Sequence, residues 1–144
     1  MLVEYLGAAA ALAACSVQGF EGGPDTIRGP AILAHYSDSA MVRMPGSAHV
    51  GVPVSITVTS FGGGCITQGD TEVTVRGLVA EVRPYRYETV RLPPNAACTS
   101  ELRIFEHTVS FQFSEPGEAS VRIVGLRRPQ DAPYILEREL TVLP

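Results

Sequence analysis

The sequence predicts an all-β protein, and three features of the chain indicate that fold class. From about residue 31 onward, apolar residues recur at every second position, which is the period of a strand with one buried face. Clusters of glycine, proline and asparagine separate these runs at intervals of roughly 8–15 residues. No stretch after Cys15 shows a 3.6-residue apolar period of useful length, so we expect almost no helix in the mature domain.

The alternation occurs in seven runs, and each is expected to form one strand with its apolar side chains in the core. In chain order, the apolar positions are Ala40, Val42 and Met44; Val52, Val54, Ile56 and Val58; Val73 and Val75; Leu78, Ala80 and Val82; Val109, Phe111 and Phe113; Val121 and Ile123; and Leu140 and Val142. A chain of 144 residues that is 45% hydrophobic has enough apolar material for one domain. The pattern therefore predicts a single β-sandwich of about seven strands.

Two segments resemble bacterial immunoglobulin-like domains. VRMPGSAHVGVPVSITVTS has a first strand that ends at a proline corner, followed by a step into a long alternating strand, and FSEPGEASVRIVG has a strand, a Pro-Gly hairpin and a strand. The resemblance covers Ile32 to Leu143 and implies an Ig-like sandwich. The chain has no tryptophan, and neither Cys65 nor Cys98 lies in an alternating run, so the signature of antibody domains is missing. "Ig-like" therefore denotes an architecture and not kinship.

The N-terminal segment MLVEYLGAAAALAAC is apolar over Leu6–Ala14, which is too short to span a bilayer. Its last four residues, LAAC, resemble the bacterial lipobox, which lipoprotein-processing enzymes recognise. The resemblance implies that residues 1–14 are a cleaved signal peptide and that the Cys15 thiol accepts a diacylglyceryl group. The only early charge is Glu4, whereas signal peptides carry a positive n-region. The alternative is an alanine-rich first helix with an ordinary buried cysteine.

The segment after Cys15, SVQGFEGGPDTIRGP, is rich in glycine and proline and has no apolar period. It predicts a flexible tether over residues 15–30, followed by the Ig-like domain over residues 31–144. These features predict an exported lipoprotein of the bacterial cell envelope, anchored by lipid at the outer membrane or another periplasm-facing membrane surface. Ser16 in place of aspartate resembles the sorting signal for outer-membrane delivery. An unlipidated, secreted domain is the alternative.

The segment TSFGGGCITQGD, from Thr59 to Asp70, allows three interpretations. A phosphate-binding loop requires a lysine and a following helix, but the chain has no lysine and a strand-like run follows. A reactive Cys65 requires a nearby base, and the spacing links none of the three histidines to it. If Cys15 carries lipid, Cys65 and Cys98 remain as a pair in an oxidising compartment, and we expect a disulfide. The glycines would permit positive φ and close backbone approach.

His107 lies in the apolar stripe that leads from Phe105 to Phe113. It is a weak candidate for a metal ligand or pH sensor, and the rival hypothesis of an enzymatic or metal-handling protein would combine it with Glu106 and Glu101. We favour a structural histidine at the edge of the core, with its ring nitrogens bonded to the backbone.

The run EVRPYRYETVR contains Arg83, Tyr85, Arg86 and Tyr87. Because tyrosine and arginine dominate interface hot spots, these four residues are a candidate partner-binding rim. The alternative is a polar strand-loop-strand whose tyrosines pack over the edge of the sandwich.

The net charge and the absence of known catalytic motifs argue against several classes of function. The net charge is −4 and all 11 basic residues are arginine, which argues against nucleic-acid binding and excludes a lysine nucleophile. The motifs HExxH, CxxC and GxSxG are absent. We therefore expect a non-catalytic binding or structural domain without a cofactor. Its expected partners are the membrane, through the lipid anchor, and an envelope protein or glycan, and the protein is expected to act as a monomer.

Overall fold

The computed structural model describes residues 25–144, and every element in that range is a strand. The predicted signal peptide, Cys15 and most of the tether lie outside the described residues. The strands are β1 Thr26–Pro30, β2 Ile32–His35, β3 Asp38–Ser39, β4 Val42–Arg43, β5 Ser47–His49, β6 Val54–Gly62, β7 Ile66–Arg76, β8 Val79–Thr89, β9 Arg103–Phe111, β10 Gly117–Arg128 and β11 Ala132–Leu143. No membrane-spanning helix occurs in this part of the chain.

The all-β fold class is confirmed, but the domain has eleven strands and not about seven. The additional strands β1, β2, β3 and β5 have two to five residues each, too few to show a convincing alternation. They form because neighbouring strands offer free backbone groups, and the chain's own periodicity does not reveal them.

All eleven strands belong to one curled sheet. Three long antiparallel pairs, β6 with β9, β7 with β8 and β10 with β11, form most of it. Strand β8 connects the parts: β7 lies along one side of it, while the other side is shared by β10, which runs parallel to its first half, and by β1, which runs antiparallel to its second half. Strand β5 pairs with β11 and β4 pairs with β6.

The inner face of the curled sheet encloses the core, to which most of the predicted apolar positions contribute. The buried core residues are Leu33, Ala40, Val54, Ile56, Val58, Ala80, Val82, Phe111, Phe113, Ala119, Val121, Ile123, Leu140 and Val142. Phe111 and Phe113 pack edge to face with ring centroids 5.6 Å apart. Val52 is an exception, since it precedes β6 and is exposed.

The end of the predicted tether is part of the sheet. Thr26–Pro30 forms β1 and pairs residue by residue with the second half of β8. The glycine and proline content of this segment suggested a spacer. The segment forms a strand instead because the second half of β8 has a free edge with which it can pair. Pro30 is the last residue of that strand, where a missing N–H is tolerated. The domain therefore begins before residue 31.

Strand β8 runs unbroken through Thr89, so the loop of the alternative strand-loop-strand interpretation does not interrupt EVRPYRYET. Pro84 sits inside the strand opposite a register shift in β7, between Gln68 and Thr71. A bulge on the partner strand is a position where proline's missing donor is tolerated. The carbonyl of Pro84 accepts a hydrogen bond from the Ala31 amide, so its acceptor is also used.

Candidate functional site

The Cys65–Cys98 disulfide is present, as the sequence predicted. Cys65 immediately precedes β7, and Cys98 lies in the irregular segment 90–102 between β8 and β9; their Cα atoms are 5.2 Å apart. The bond closes a span of 33 positions and attaches segment 90–102 to the connection between β6 and β7. The Thr89 amide donates to the Cys65 carbonyl at 2.9 Å, which adds a backbone contact beside the bridge.

The glycines before Cys65 allow close approach, which is half of what the sequence suggested. A Cβ on Gly64 would lie 2.6 Å from the Thr99 amide nitrogen, so any side chain there would push segment 90–102 away. A Cβ on Gly62 would overlap the ring of Phe105. None of these glycines has positive φ, so conformational freedom is not the reason for them.

His107 is buried, with 2% of its surface exposed, between β6 and β7. Its Nε2 lies 2.8 Å from Ser60 Oγ and its Nδ1 lies 3.0 Å from Thr71 Oγ1. Burial lowers the pKa of His107 below its usual value. In the neutral ring one nitrogen donates and the other accepts. The side chain thus joins three strands through two hydroxyl groups, and not through the backbone as we expected.

The acids paired with His107 in the rival hypothesis lie elsewhere. Glu106 is exposed and forms an ion pair with Arg43 at 2.9 Å. Glu101 accepts from Arg103 at 2.6 Å, and this partner and the Thr99 hydroxyl hold the pKa of its carboxyl below the usual range. In the described part of the chain, no three histidine, cysteine or acidic side chains group as metal ligands would.

The four residues of the candidate rim lie on two faces of β8. Arg83, Tyr85 and Tyr87 point to the outer face, because they alternate with the buried residues of the strand. Arg86 points inward and is only 7% exposed. Its guanidinium donates to Glu88 at 2.7 Å and to the Pro30 carbonyl, which ties β8 to β1. Of the four residues, Arg83 and Tyr87 are therefore exposed, Tyr85 is half-buried and Arg86 is buried.

Tyr85 is covered by Arg28, whose guanidinium carbon lies 3.4 Å from the ring centroid. Arg28 also donates to Asp70 at 2.6 Å and to Glu72 at 2.8 Å. These contacts hold the pKa of the Asp70 carboxyl below its usual range. The Tyr85 hydroxyl donates to Glu72 at 3.2 Å, so the cluster links β1, β7 and β8. Tyr87 is more exposed than Tyr85.

A hollow of about 670 Å³ lies on the outer face, where β7, the first half of β8 and β10 run side by side. We call it the arginine hollow, because Arg76, Arg83 and Arg122 line it together with a single acid, Glu81. Arg83 donates to Glu81 at 2.6 Å. The Nε of Arg122 is buried and makes no hydrogen bond within the described residues, although Glu137 lies 3.4 Å away. Arg83 and Arg122 are thus each close to an acid, and Arg76 adds a third guanidinium to the hollow.

Sequence reasoning identified Arg83 in this face but missed Arg76 and Arg122. Alternation places both on the polar faces of their strands. Only the pairing of Arg76 with Val79 and of Arg122 with Glu81 brings them to one place. These contacts join residues 3 and 41 positions apart in the chain, and the second is invisible to local pattern.

Comparisons of the chain with protein-family models, with curated proteins and with solved structures find no match. The assignment of a function therefore depends on the geometry of the chain itself.

Proposed function

We propose that this chain is a lipid-anchored protein of the bacterial cell envelope, attached through Cys15, whose one domain is a non-catalytic binding module. The Cys65–Cys98 disulfide is the observation that carries the proposal, because such bonds persist in exported proteins and are rare in the cytosol. It agrees with the lipobox-like LAAC sequence, which implies export independently.

We further propose that the domain is an Ig-like sandwich. The long antiparallel pairs β6–β9 and β10–β11 and the core between the inner faces of the curled sheet support this architecture. The parallel pairing of β8 with β10 departs from the two antiparallel sheets of immunoglobulin domains. The proposed likeness to immunoglobulin domains therefore concerns the layers and the core, while the strand pairing of this domain is different.

The proposed binding site is the arginine hollow, and the proposed ligand carries carboxylate or sulfate groups. Its volume of about 670 Å³ suits a ligand group of moderate size. A planar guanidinium group can donate two parallel hydrogen bonds to an oxyanion, and three such groups line this hollow, two of them paired with Glu81 and Glu137. The exposed ring of Tyr87 continues the same face and offers an apolar contact for a larger ligand.

The hollow is also well placed in an anchored protein. It lies beside Val79 at the start of β8, whereas the chain enters the domain opposite Thr89 at the end of that strand. Ten residue steps in a strand span roughly 33 Å. A ligand from the envelope therefore meets the hollow at the end that is remote from the anchor.

Two experiments test the proposal. The intact mass of the protein purified from bacterial envelopes should show acyl chains on Cys15 and two hydrogens missing from Cys65 and Cys98. An unmodified Cys15 in membrane-bound material would refute the anchor. Free thiols at the other two positions in native protein would remove the argument for export.

Ligand binding is measured by calorimetry with oligogalacturonate, polyglutamate and a neutral oligosaccharide. We expect an acidic probe to bind and the neutral one not to bind, with affinity falling as salt rises. Arg76→Gln combined with Arg122→Gln should abolish binding, while the control Arg138→Gln, an exposed arginine that donates to the backbone beside it, should not. Binding that the double variant retains would refute the site. Preference for the sugar acid or for the peptide would assign the partner to glycan or to protein.

A further inference from the structure

The end of the domain that receives the N-terminal chain carries a group of exposed apolar side chains. Tyr36, Met41, Leu102 and Ile104 are each 52–67% exposed, and we call them the apolar end. Met41, Leu102 and Ile104 line one hollow of about 310 Å³ over the ring of Phe61. Large aliphatic side chains this exposed and this close together are typical of a surface that contacts a protein or a membrane.

Several contacts place this group at the point of chain entry. A cavity of about 280 Å³ is lined by Leu102 together with Glu88 at the end of β8, so the apolar end adjoins that strand end. Val90, the residue directly after β8, is bonded to Asp25, the first described residue: its amide donates to the Asp25 carbonyl at 2.8 Å. Ile27, on β1, and Val90, directly after β8, are themselves exposed apolar residues near Asp25.

We infer that the apolar end rests on the lipid surface to which Cys15 is attached. The inference depends on the proposed function for the anchor. Residues 16–24 separate Cys15 from the domain, and ten residue steps reach at most about 36 Å. Whatever the path of this segment, the apolar end is confined to a thin layer above the bilayer. A contact too weak to bind a free domain becomes effective at such a local concentration.

The charges around the apolar end favour a zwitterionic bilayer. Two arginines beside the apolar end are paired with acids, Arg128 with Glu88 and Asp131 and Arg103 with Glu101, and the exposed Asp38 lines the hollow itself. No excess of basic groups therefore remains there to attract anionic lipid. Tyr36 brings an aromatic ring with a polar hydroxyl, which suits the headgroup layer.

Two contacts define how this end is held. The disulfide keeps segment 90–102 in place, and that segment carries Leu102. Ile104 is fixed in β9 opposite Phe61. The backbone that carries Leu102 and Ile104 is thus held by a covalent bond and by strand pairing. With this end on the membrane, the arginine hollow faces outward.

The test uses the unlipidated full chain, whose Cys15 is the one thiol left outside the disulfide. Coupling Cys15 to a maleimide lipid in phosphatidylcholine vesicles restores the tether, and a paramagnetic lipid then broadens the methyl signals that approach the surface. We expect the methyls of Met41, Leu102 and Ile104 to relax faster than those of Val52 and Ile135, which are exposed elsewhere. Equal relaxation of the two groups would overturn the inference.

Variants make the test specific. Leu102→Ser with Ile104→Ser should weaken docking about tenfold, because each side chain loses part of its transfer free energy, and the Met41 methyl reports the loss. Val52→Ser with Ile135→Ser is the matched control and should leave the Met41 signal unchanged. An equal loss in both variants would contradict the inference. So would dimerisation through the apolar end in sedimentation experiments, since that assigns the surface to a second copy.

The outcome is separate from that of the proposed function. One result is docking in the vesicle experiment, together with native protein that lacks acyl chains on Cys15. That combination would refute the anchor but leave the apolar end as a lipid-binding surface. The opposite result is native protein that carries acyl chains on Cys15, together with methyls of the apolar end that relax no faster than those of Val52 and Ile135. It would support the anchor and refute this inference.

Discussion

Removal of the disulfide should destabilise the domain by an amount that follows from its position in the chain. Cys65 and Cys98 are 33 positions apart, and closing a loop of that size lowers the entropy of the unfolded chain by about 12.5 cal/mol/K, or about 3.7 kcal/mol at 25 °C. The domain is of a size for which such a loss lowers Tm by roughly 15 °C. Cys65→Ser with Cys98→Ser should therefore lose a large share of the stability.

Urea unfolding followed by circular dichroism measures the loss, with Cys15→Ser in both proteins so that no other thiol takes part. The m value of the variant should rise, because an unfolded chain without the cross-link exposes more surface. Parent protein in reducing agent is the control and should behave like the double variant. A loss within about 0.5 kcal/mol, the scale of an ordinary surface substitution, would refute the reasoning.

Three further predictions concern single residues. Burial lowers the pKa of His107 below its usual 6.5, so below that pH the unfolded chain binds a proton that the folded protein does not. The free energy of unfolding should therefore fall on acidification from pH 7 to pH 5, by at most about 1.4 kcal/mol per pH unit, and His107→Gln should lack this part of the slope in urea titrations. Gly69→Ala places a Cβ 2.7 Å from a carbonyl group of β8 and should lower stability by about 1–3 kcal/mol in thermal unfolding. Gly46→Ala, with open space around it, should be nearly neutral. Arg28→Gln removes the main cause of the lowered pKa of Asp70, which should rise towards 3.8 in a carboxyl NMR titration; an unchanged pKa would contradict the pairing.

The proposed arrangement makes one domain serve two surfaces. Thr26, at the start of β1, and the apolar end lie at one end of β8, and the arginine hollow lies towards the other. Membrane contact and ligand binding therefore do not compete for the same residues. Leu102→Ser with Ile104→Ser should leave the affinity for an acidic probe unchanged, and calorimetry checks this.

Much of the core was predictable because burial along a strand follows a period of two. Val54, Ile56 and Val58 alternate with polar residues, and all three are buried. His107 is on the inner face for the same reason, as the stripe around it indicated. The disulfide was predictable from the number of cysteines and the expectation of export, without geometry. That prediction did not require knowing which segments of the chain lie beside Cys65 and Cys98.

The chain itself therefore determined the fold class, the inner and outer faces of its long strands and the pairing of Cys65 with Cys98, since each depends on local pattern or on residue number. Tertiary structure alone decided that Thr26–Pro30 joins the sheet, that Arg86 is tied inward to Pro30, and that Arg76, Arg83 and Arg122 share a hollow. A period of two tells which face a side chain occupies but not which strand lies beside it. Neighbours in a sheet are set by backbone hydrogen bonds between distant segments, and those bonds form only when the whole core is assembled.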